Sequence, residues 1–589
     1  MKCIELGKRL IENNAISPDE NEVALQLQKH CGCLLGDILV GEGYVKRQKL
    51  YHTIAEQYDL PFVDLMKSPP DNTLILKEDL VYYTLYGYIP QAYENGHYII
   101  ATPNISNELK KWADGRYIDY EFVITSPNDI RWTIEEFFGD HNSHLAREEL
   151  HNEAPHFSAK YLTYWFLALF IPLLFLDNLL LHAVIAINIL YITTFVFKGL
   201  IFGVGLPATK EEKLDIDPAK LPIYTILIPL YNEHKSLPHL TQNLRNLDYP
   251  KSKLDIKLII EEDDKLTLQT AKDLNLECYF EIIKVPHSAP KTKPKACNYA
   301  LKFARGKYVT IYDAEDNPDQ LQLKKAVAKF SKTDAVCLQA RLNYYNAKHN
   351  LLTKLFSVEY SSWFEYMLQG LERLGFPIPL GGTSNHIRLD ILREVGAWDP
   401  YNVTEDADLG IRLEQAGYTT AMLNSETQEE APHTIWVWMK QRTRWIKGYM
   451  QTYLVHMRNP LKLLRNLGLR KFIGFQCFIG LPTLMFLVTP FMLILSGFWF
   501  SSFLPIKVPS WVLYLCFINI IVGVGIHWIF GMIVYCANPP ERKSISAVFV
   551  FPFYWLLHSL AAFRAVYQLI TRPHYWDKTE HGFWNKPTE

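Results

Sequence analysis

Between residues 161 and 203 the chain is almost uninterrupted hydrocarbon. A run of this kind cannot be covered by one soluble core, so part of the molecule is expected in lipid. Forty-odd apolar residues suit two helical spans of about 20 residues joined by a tight turn, and the break falls at Asp177-Asn178. A hairpin brings the chain back to its starting side, and Lys160, Lys198 and Lys210 place that side in the cytoplasm. Two further spans are expected at 479–502 and 510–536, inside a segment 472–536, with Arg542-Lys543 again inside. The stretch 545–570 contains Pro552, His558 and Arg564, which are costly at mid-bilayer. It is read as an interfacial helix, with the whole of 544–589 cytoplasmic; a fifth span is the alternative. The aromatic content of 14 %, crowded into these stretches, fits residues that collect at membrane interfaces.

The remaining sequence divides into soluble units. A chain of 589 residues is too long for a single core, so several domains are expected. With 60 basic and 62 acidic residues the net charge is −2, which gives no support for a nucleic-acid partner. Met1-Lys2-Cys3-Ile4-Glu5 has no apolar run after its charge and does not read as a secretory signal. The nine cysteines lack paired metal spacing and read as reduced thiols. Residues 1–66 contain a repeat: Leu6-Gly7-x-x-Leu10 recurs as Leu35-Gly36-x-x-Leu39, an offset of 29, and each copy leads into an amphipathic helix ending in Gln28 or Gln57. Residues 67–158 read as a small α+β unit, from the alternation of Tyr98-Ile99-Ile100 and Phe122-Val123-Ile124 with polar helices.

Residues 215–458 carry the chemistry. Strand-like runs at Tyr224 to Leu230, Ile256 to Ile260 and Tyr308 to Tyr312 alternate with helical segments, the pattern of a parallel α/β sheet with ligands beyond the carboxyl ends of its strands. At those ends stand Ile228-Pro229-Leu230-Tyr231-Asn232-Glu233, then Glu261-Glu262-Asp263-Asp264, then Asp313-Ala314-Glu315-Asp316. Any one of these could be no more than a solvated turn or a helix cap. Lys293-Pro294-Lys295 lies just before the third run, placed for an ammonium to reach a phosphate. Thr404-Glu405-Asp406 opens a helix with Thr404 as its expected N-cap. Gln441, Arg444 and Trp445 share one helical face at i, i+3 and i+4. Acids for a hard cation, a base, a cation and an aromatic platform are the parts needed to move a group from a phosphate leaving group to a hydroxyl.

With these residues in order, residues 220 to 589 resemble the processive family-2 glycosyltransferases of the cellulose and hyaluronan synthase kind. The markers are the carboxylate pair after the second strand, a D-x-D, a T-E-D and a Q-x-x-R-W. The resemblance implies a GT-A fold, an α/β domain inserted between transmembrane helices and preceded here by the small N-terminal units. It implies Asp406, beside Glu405, as general base. Pro229, Tyr231, Glu233, Glu262, Asp263, Lys295, Asp313, Gln441 and Arg444 would bind the nucleotide sugar. Trp445 would lie under the acceptor, with Gly382 and Thr383 beside it, since Gly381-Gly382-Thr383 resembles the acceptor-side F-C-G-[ST] stretch without its Phe and Cys. Mg²⁺ or Mn²⁺ would be held by Asp313 with Glu315 or Asp316; the second D-x-D position is Glu here. The tail Trp576-Asp577-Lys578-Thr579-Glu580-His581-Gly582 resembles a gating loop that closes over nucleotide.

The first 65 residues resemble the duplicated MshEN-like module of type II secretion and pilus ATPases. That resemblance implies cyclic di-GMP as a partner, but Glu5 and Leu34 stand where the binding pattern has Arg, removing two guanidiniums that could stack on guanine or pair with phosphate. The order of module, membrane hairpin and transferase is part of the resemblance. The function it implies is elongation and export of an extracellular polysaccharide from a UDP-sugar or similar donor. The partners would be the growing polysaccharide, membrane lipids and an outer-membrane export component, in a bacterial inner membrane with the soluble units cytoplasmic. The alternatives are transfer of one sugar to a lipid or short acceptor, or an inactive transferase acting as receptor or scaffold.

Overall fold

The computed structural model describes residues 6–148, 179–206, 214, 216–500, 509–538 and 544–577. The expected first arm of the membrane hairpin, its Asp177-Asn178 turn, Arg542-Lys543 and the tail from Lys578 onward lie outside the described residues.

The repeat is two helix pairs: α1 (Leu6–Glu12) with α2 (Pro18–Cys31), and α3 (Leu35–Gly41) with α4 (Arg47–Tyr58). Its shared residues have packing reasons. Leu10 and Leu39 are fully buried, and a Cβ at Gly7 would stand 2.2 Å from Asn21 Oδ1 and one at Gly36 3.1 Å from Leu50 Cδ2. The next unit is a three-stranded sheet of β1 (Ile89–Glu94), β2 (His97–Thr102) and β3 (Tyr120–Ile124). β1 and β2 form a hairpin whose turn residues Asn95 and Gly96 both have positive φ, 52° and 94°, as a tight two-residue turn demands. β3 runs parallel to β2, Tyr120 level with Tyr98.

Helix α5 (Pro127–Glu148) ties this unit to the large domain. Ser143 Oγ lies 2.8 Å from Ser288 Oγ, Arg147 donates to the Ala289 carbonyl at 3.0 Å, and Asn298 donates to the Ala146 carbonyl at 3.2 Å. The chain then enters α6 (Leu179–Gly205), largely apolar, with Lys198 its one Lys, Arg, Asp or Glu.

The large domain is built on an eight-stranded sheet: β4 (Tyr224–Leu230), β5 (Leu254–Glu261), β6 (Phe280–Val285), β7 (Tyr308–Ile311), β8 (Asn317–Pro318), β9 (Cys337–Tyr344), β10 (Asn385–Arg388) and β11 (Thr420–Glu429). Their order is β6-β5-β4-β7-β10-β9-β11-β8. β4 to β7 are parallel, as expected. The expectation of a wholly parallel sheet is corrected by the second half. β10 runs antiparallel to both β7 and β9, and β8 antiparallel to β11. The first strands are largely apolar because both faces are covered, with the buried charges Asp255 and Lys257 of β5 paired to each other: Ile226, Ile228, Ile256 and Leu258 pack on one side, Leu227, Ile259, Val309 and Ile311 on the other. This is the mixed, curled α/β sheet of the GT-A fold.

The helices that frame the site are α7 (Lys293–Leu301), α8 (Leu351–Tyr360), α9 (Glu405–Gln415) and α10 (Ile435–His456). A π-helical stretch, Ser361–Met367, continues α8; such widened turns are frequent at functional sites. Three long apolar helices complete the chain: α11 (Leu481–Phe500), α12 (Ser510–Ala537) and α13 (Ile545–Thr571). With α6, four helices among the described residues are long and apolar enough to cross a membrane.

Two joints seat the large domain on these helices. A Cβ at Gly205 would stand 2.0 Å from the Tyr366 carbonyl oxygen, and one at Gly370 2.0 Å from that of Ile201, so α6 meets the domain backbone to backbone. On either side of α13, Asn538 donates to Ser361 Oγ at 3.2 Å and His574 donates to the Tyr401 carbonyl at 2.9 Å. Both approaches to α13 are therefore fastened to the same domain.

Candidate active site

The carboxyl ends of β4, β5 and β7 and the N-termini of α7 and α9 open into one cavity of about 420 Å³. Pro229, Tyr231 and Glu233 line it from the turn after β4, Asp313 and Glu315 from the turn after β7, and Gly382 and Thr383 from the approach to β10. Glu405 and Asp406 enter from α9, and Gln441, Arg444 and Trp445 from α10. Twelve of the sequence-predicted residues thus meet in one space, although more than 200 positions separate the first from the last.

Its centre is held by Lys293, whose Nζ lies 2.5 Å from Asp313 Oδ1 and donates to the Gly382 carbonyl at 2.6 Å. A Cβ built on Gly382 would stand 3.5 Å from Asp406 Oδ2 and 3.9 Å from Lys293 Nζ. Only glycine leaves that space open. The base candidate, the cation and Asp313 therefore surround one small volume. Burial alone would lower the Lys293 pKa, but its nearest acid, Asp313, raises it, so the ammonium stays charged.

Acids crowd the opposite wall. Asp316 is fully buried behind that wall, outside the cavity lining, and acts as a brace: its Oδ2 accepts the Asp313 N–H at 2.8 Å and the Thr383 hydroxyl, which ties the turn after β7 to the stretch before β10. Burial, then the neighbouring acids, push Asp316 and Glu315 well above the carboxylate range. Glu429, at the end of β11, lines the same cavity and is pushed up for the same reasons.

Burial and the adjacent Asp406 raise Glu405 to about 8. Burial raises Asp406 to about 6, against the pull of the Ala407 N–H, Lys293 and Arg444. At neutral pH the pair therefore presents a protonated Glu405 next to an ionised Asp406, which can take a proton. If Asp406 is the base, turnover should fall tenfold per pH unit below about pH 6. A rate profile flat from pH 5 to 8 would exclude that assignment.

The acceptor wall is aromatic. Trp445 stacks against Tyr360, centroids 6.1 Å apart at 27°. Arg444 lies with its Cζ 4.6 Å from the centre of the Trp576 ring, which brings the residues after α13 to the mouth. Gln441 Oε1 is buried with no protein partner, an acceptor left for a donor from a ligand. The cavity does not end at Trp445. It continues past Trp363 and Phe478 to Phe486 on α11, His527 and Phe530 on α12, Trp555 and His558 on α13, and Lys198 on α6.

Three expectations are corrected. Lys295 was expected at the leaving group; instead it is fully buried and paired with Glu261 Oε1 at 2.9 Å, outside the cavity lining. Two residues along a helix turn the side chain about 200°, so if Lys293 faces the site Lys295 cannot. Glu262 pairs with Lys284 of β6 at 2.7 Å and Asp263 with Lys291 at 2.5 Å, both about half exposed. The carboxylate of that run lining the cavity is Glu261, the last strand residue; Asp263 touches it only through Lys291, whose ammonium lies 3.8 Å from the centre of the Tyr231 ring. Thr404 stands at the N-cap position of α9 but makes no side-chain cap bond; its Oγ1 faces Gly448 of α10, where a Cβ would come within 2.3 Å. Glu429 was missed. Its signal was the same as that of the other sites, an acidic pair closing an apolar strand.

Among the described residues no three His, Cys, Asp or Glu side chains form a ready-made metal cage. The donors nevertheless suit a hard divalent cation. Asp313, Glu315, Asp316 and Glu429 are offset here by Lys293, and Asp316 Oδ1 is buried without a partner. A magnesium-like ion needs only one or two carboxylates when phosphate and water complete its shell.

Known proteins match parts of the chain. The family model "Glycosyl transferase family group 2" matches residues 308–538, and the MshEN domain model matches residues 58–144. The MshEN match thus falls chiefly on the α+β unit, downstream of the helical repeat where the resemblance had been placed. The chain is 29 % identical over 252 residues to the "Probable glycosyltransferase YdaM" of Bacillus subtilis, covering 42 % of this chain and 60 % of the relative. It is 29 % identical over 256 residues to the "Beta-monoglucosyldiacylglycerol synthase" of Trichormus variabilis, covering 43 % and 53 %. The chain therefore spans little more than half the length of these relatives. Among solved structures, a mannosyltransferase from Pyrobaculum calidifontis in complex with GDP-Man and Mn²⁺ aligns over 66 % of this chain and 99 % of its own, at 15 % identity and a TM-score of 0.42.

Proposed function

The chain carries a glycosyltransferase family 2 domain and, ahead of it, an MshEN domain; from this premise we propose that it is an inverting membrane glycosyltransferase that elongates a polysaccharide from a nucleotide diphosphate sugar and passes the product into the membrane helices. The observation that carries this reading is the single cavity that joins Lys293, Asp313 and Asp406 to Trp445 and continues between α6, α11, α12 and α13. A one-step transferase with a soluble acceptor has no use for the inner half of that space.

In the proposed reaction the acceptor sugar rests on Trp445 with one hydroxyl toward Asp406. Asp406 takes the hydroxyl proton as the oxygen bonds to the anomeric carbon; the bond from that carbon to the diphosphate oxygen breaks, and the configuration inverts. Lys293 and Arg444 stabilise the charge that grows on the departing diphosphate, and Gln441 helps hold it. Mg²⁺ or Mn²⁺, when bound by Asp313 with Glu315 or Asp316, would add positive charge beside the diphosphate. Tyr231, Pro229 and Glu233 form the nucleotide side. Lys291 over Tyr231 extends that wall, and a UDP-sugar is the favoured donor.

We read α13 as lying along the membrane surface, because both its approaches are fastened to the large domain. The large domain and the N-terminal units then lie on the cytoplasmic side of a bacterial inner membrane, and export would need a partner beyond it. Regulation through the N-terminal units has a physical route: α5 grips Ser288 and Ala289, in the loop that leads to Lys291 and Lys293. Cyclic di-GMP is the ligand the MshEN domain suggests for that role. A second reading, transfer of one sugar to a lipid, draws support from the glycolipid synthase among the relatives.

The test is to offer UDP-glucose, UDP-N-acetylglucosamine and GDP-mannose to membranes containing the protein with Mg²⁺ or Mn²⁺, then size the product. Products of many sugars from a purified enzyme are expected. A single-sugar lipid product would replace the synthase reading with the second one, and no diphosphate release from any donor would count against both.

A further inference from the structure

Arg442 stands inside the Gln-x-x-Arg-Trp segment but has no part in the chemistry above. It is three residues before Trp445, one helical step along the same face, and its guanidinium lies beneath that indole, Cζ 4.4 Å from the ring centre and 4.3 Å from the centre of Phe356. The two ring centres are only 6.1 Å apart, so the guanidinium clamps both rings from one side, and a cation held against an aromatic face favours one tilt of that ring. The clamp is set from one side: Arg442 Nη2 donates to Glu359 Oε2 at 2.5 Å. Glu359, on α8, is one of the carboxylates in the cavity wall and lies far along the chain from every acid of the donor side. The same Oε2 accepts the Tyr554 hydroxyl of α13 at 2.8 Å, and that hydroxyl accepts the Trp438 indole N–H at 2.7 Å. His558 Nε2 lies 3.5 Å from Oε1. The carboxylate is thus immobilised by groups from α10 and α13 before it immobilises Arg442.

We propose that Glu359 is a positioning residue for the acceptor, acting through Arg442 to hold the indole of Trp445 at a fixed tilt, and that Tyr554 makes this platform sensitive to the seating of α13. The proposal rests on the reading of Trp445 as the acceptor platform. Without its carboxylate, Arg442 would be a buried unpaired charge, free to swing from under the ring. The donor side, with its own lysine and acids, is untouched by that change.

The experiment uses the full chain in detergent micelles. UDP and GDP binding in Mn²⁺ reports the donor side. Incorporation of labelled sugar from whichever of UDP-glucose, UDP-N-acetylglucosamine or GDP-mannose turns over fastest reports elongation. Glu359→Gln is expected to slow elongation about 10- to 100-fold with nucleotide binding changed less than twofold, and Glu359→Asp to recover part of the loss. Glu359→Gln/Trp445→Ala should be no slower than Trp445→Ala alone. Tyr554→Phe, which loosens Glu359 without burying a charge, should show a smaller loss of the same kind and serves if Glu359→Gln does not fold. Normal elongation by Glu359→Gln or, in its place, Tyr554→Phe, losses that multiply in the double variant, or an equal loss of nucleotide binding would overturn the proposal. Normal elongation by Trp445→Ala would instead overturn the platform reading on which it rests.

Discussion

Replacing Asp406 by Asn is expected to lower sugar transfer about 10²- to 10⁴-fold, the usual contribution of a positioned base, while nucleotide binding changes little. The substitution is close to isosteric. An amide oxygen can still accept the Ala407 N–H that Asp406 Oδ1 accepts at 2.8 Å, so the first turn of α9 should survive. What disappears is the proton acceptor beside the space above Gly382. Removing the charge of Asp406 also relieves Glu405, whose elevated pKa owes part of its rise to that neighbour. Glu405, which lines the same cavity, should then ionise more readily. Initial rates of diphosphate release, beside nucleotide affinity measured by calorimetry, separate the two effects. An Asn variant with more than a tenth of the parent rate would remove Asp406 from the mechanism.

The second large effect distinguishes two lysines only two residues apart. Lys293→Met is expected to lower kcat/KM about 10²- to 10³-fold, the scale of losing one preorganised charge-stabilising donor, with modest change in thermal stability. Lys295→Met should do the reverse. It leaves the Glu261 carboxylate buried without its ammonium partner, which costs about 3–5 kcal/mol, while the folded fraction keeps kcat/KM within a few-fold. Thermal melts and steady-state kinetics on both variants give four numbers. If Lys295→Met were the catalytically dead protein and Lys293→Met the unstable one, the placement of the leaving group beside Asp313 would be wrong.

That pair also indicates where the sequence was readable. Strands β4, β5 and β7 announce themselves because both faces of each are buried, so most positions are apolar and the run stands out from its surroundings, the paired Asp255 and Lys257 of β5 being the exception. The acids that close them are legible for a related reason: a run of carboxylates ending a buried strand marks its carboxyl end, where such sheets bind ligands. Which of those acids turns inward depends on the residue where the strand stops and the pleat that it carries over, and neither is a property of composition. Glu261 is the last strand residue and faces the cavity; Glu262, the next, turns to Lys284. The choice between Lys293 and Lys295 depends in the same way on helix phase. β10 spans only Asn385–Arg388, too short for any periodicity, and its antiparallel insertion between two longer strands is decided by tertiary contacts. Glu359 and Lys198 could not be linked to the site from sequence at all. They lie on helices whose apolar faces are read easily, but the direction of one polar side chain on such a helix emerges only when the neighbours are in place.

The joint at Gly205 and Gly370 has a further meaning. A contact between side chains can slide, because rotamers adjust and keep the gap filled. Main chain against main chain has no such slack, and any displacement opens a void or forces a collision. The apolar helix ending at Gly205 and the sheet domain behind Gly370 must therefore travel as a single lever. Whatever opens the chamber for a fresh donor has to move at the other rim, where Trp576 rests on Arg444.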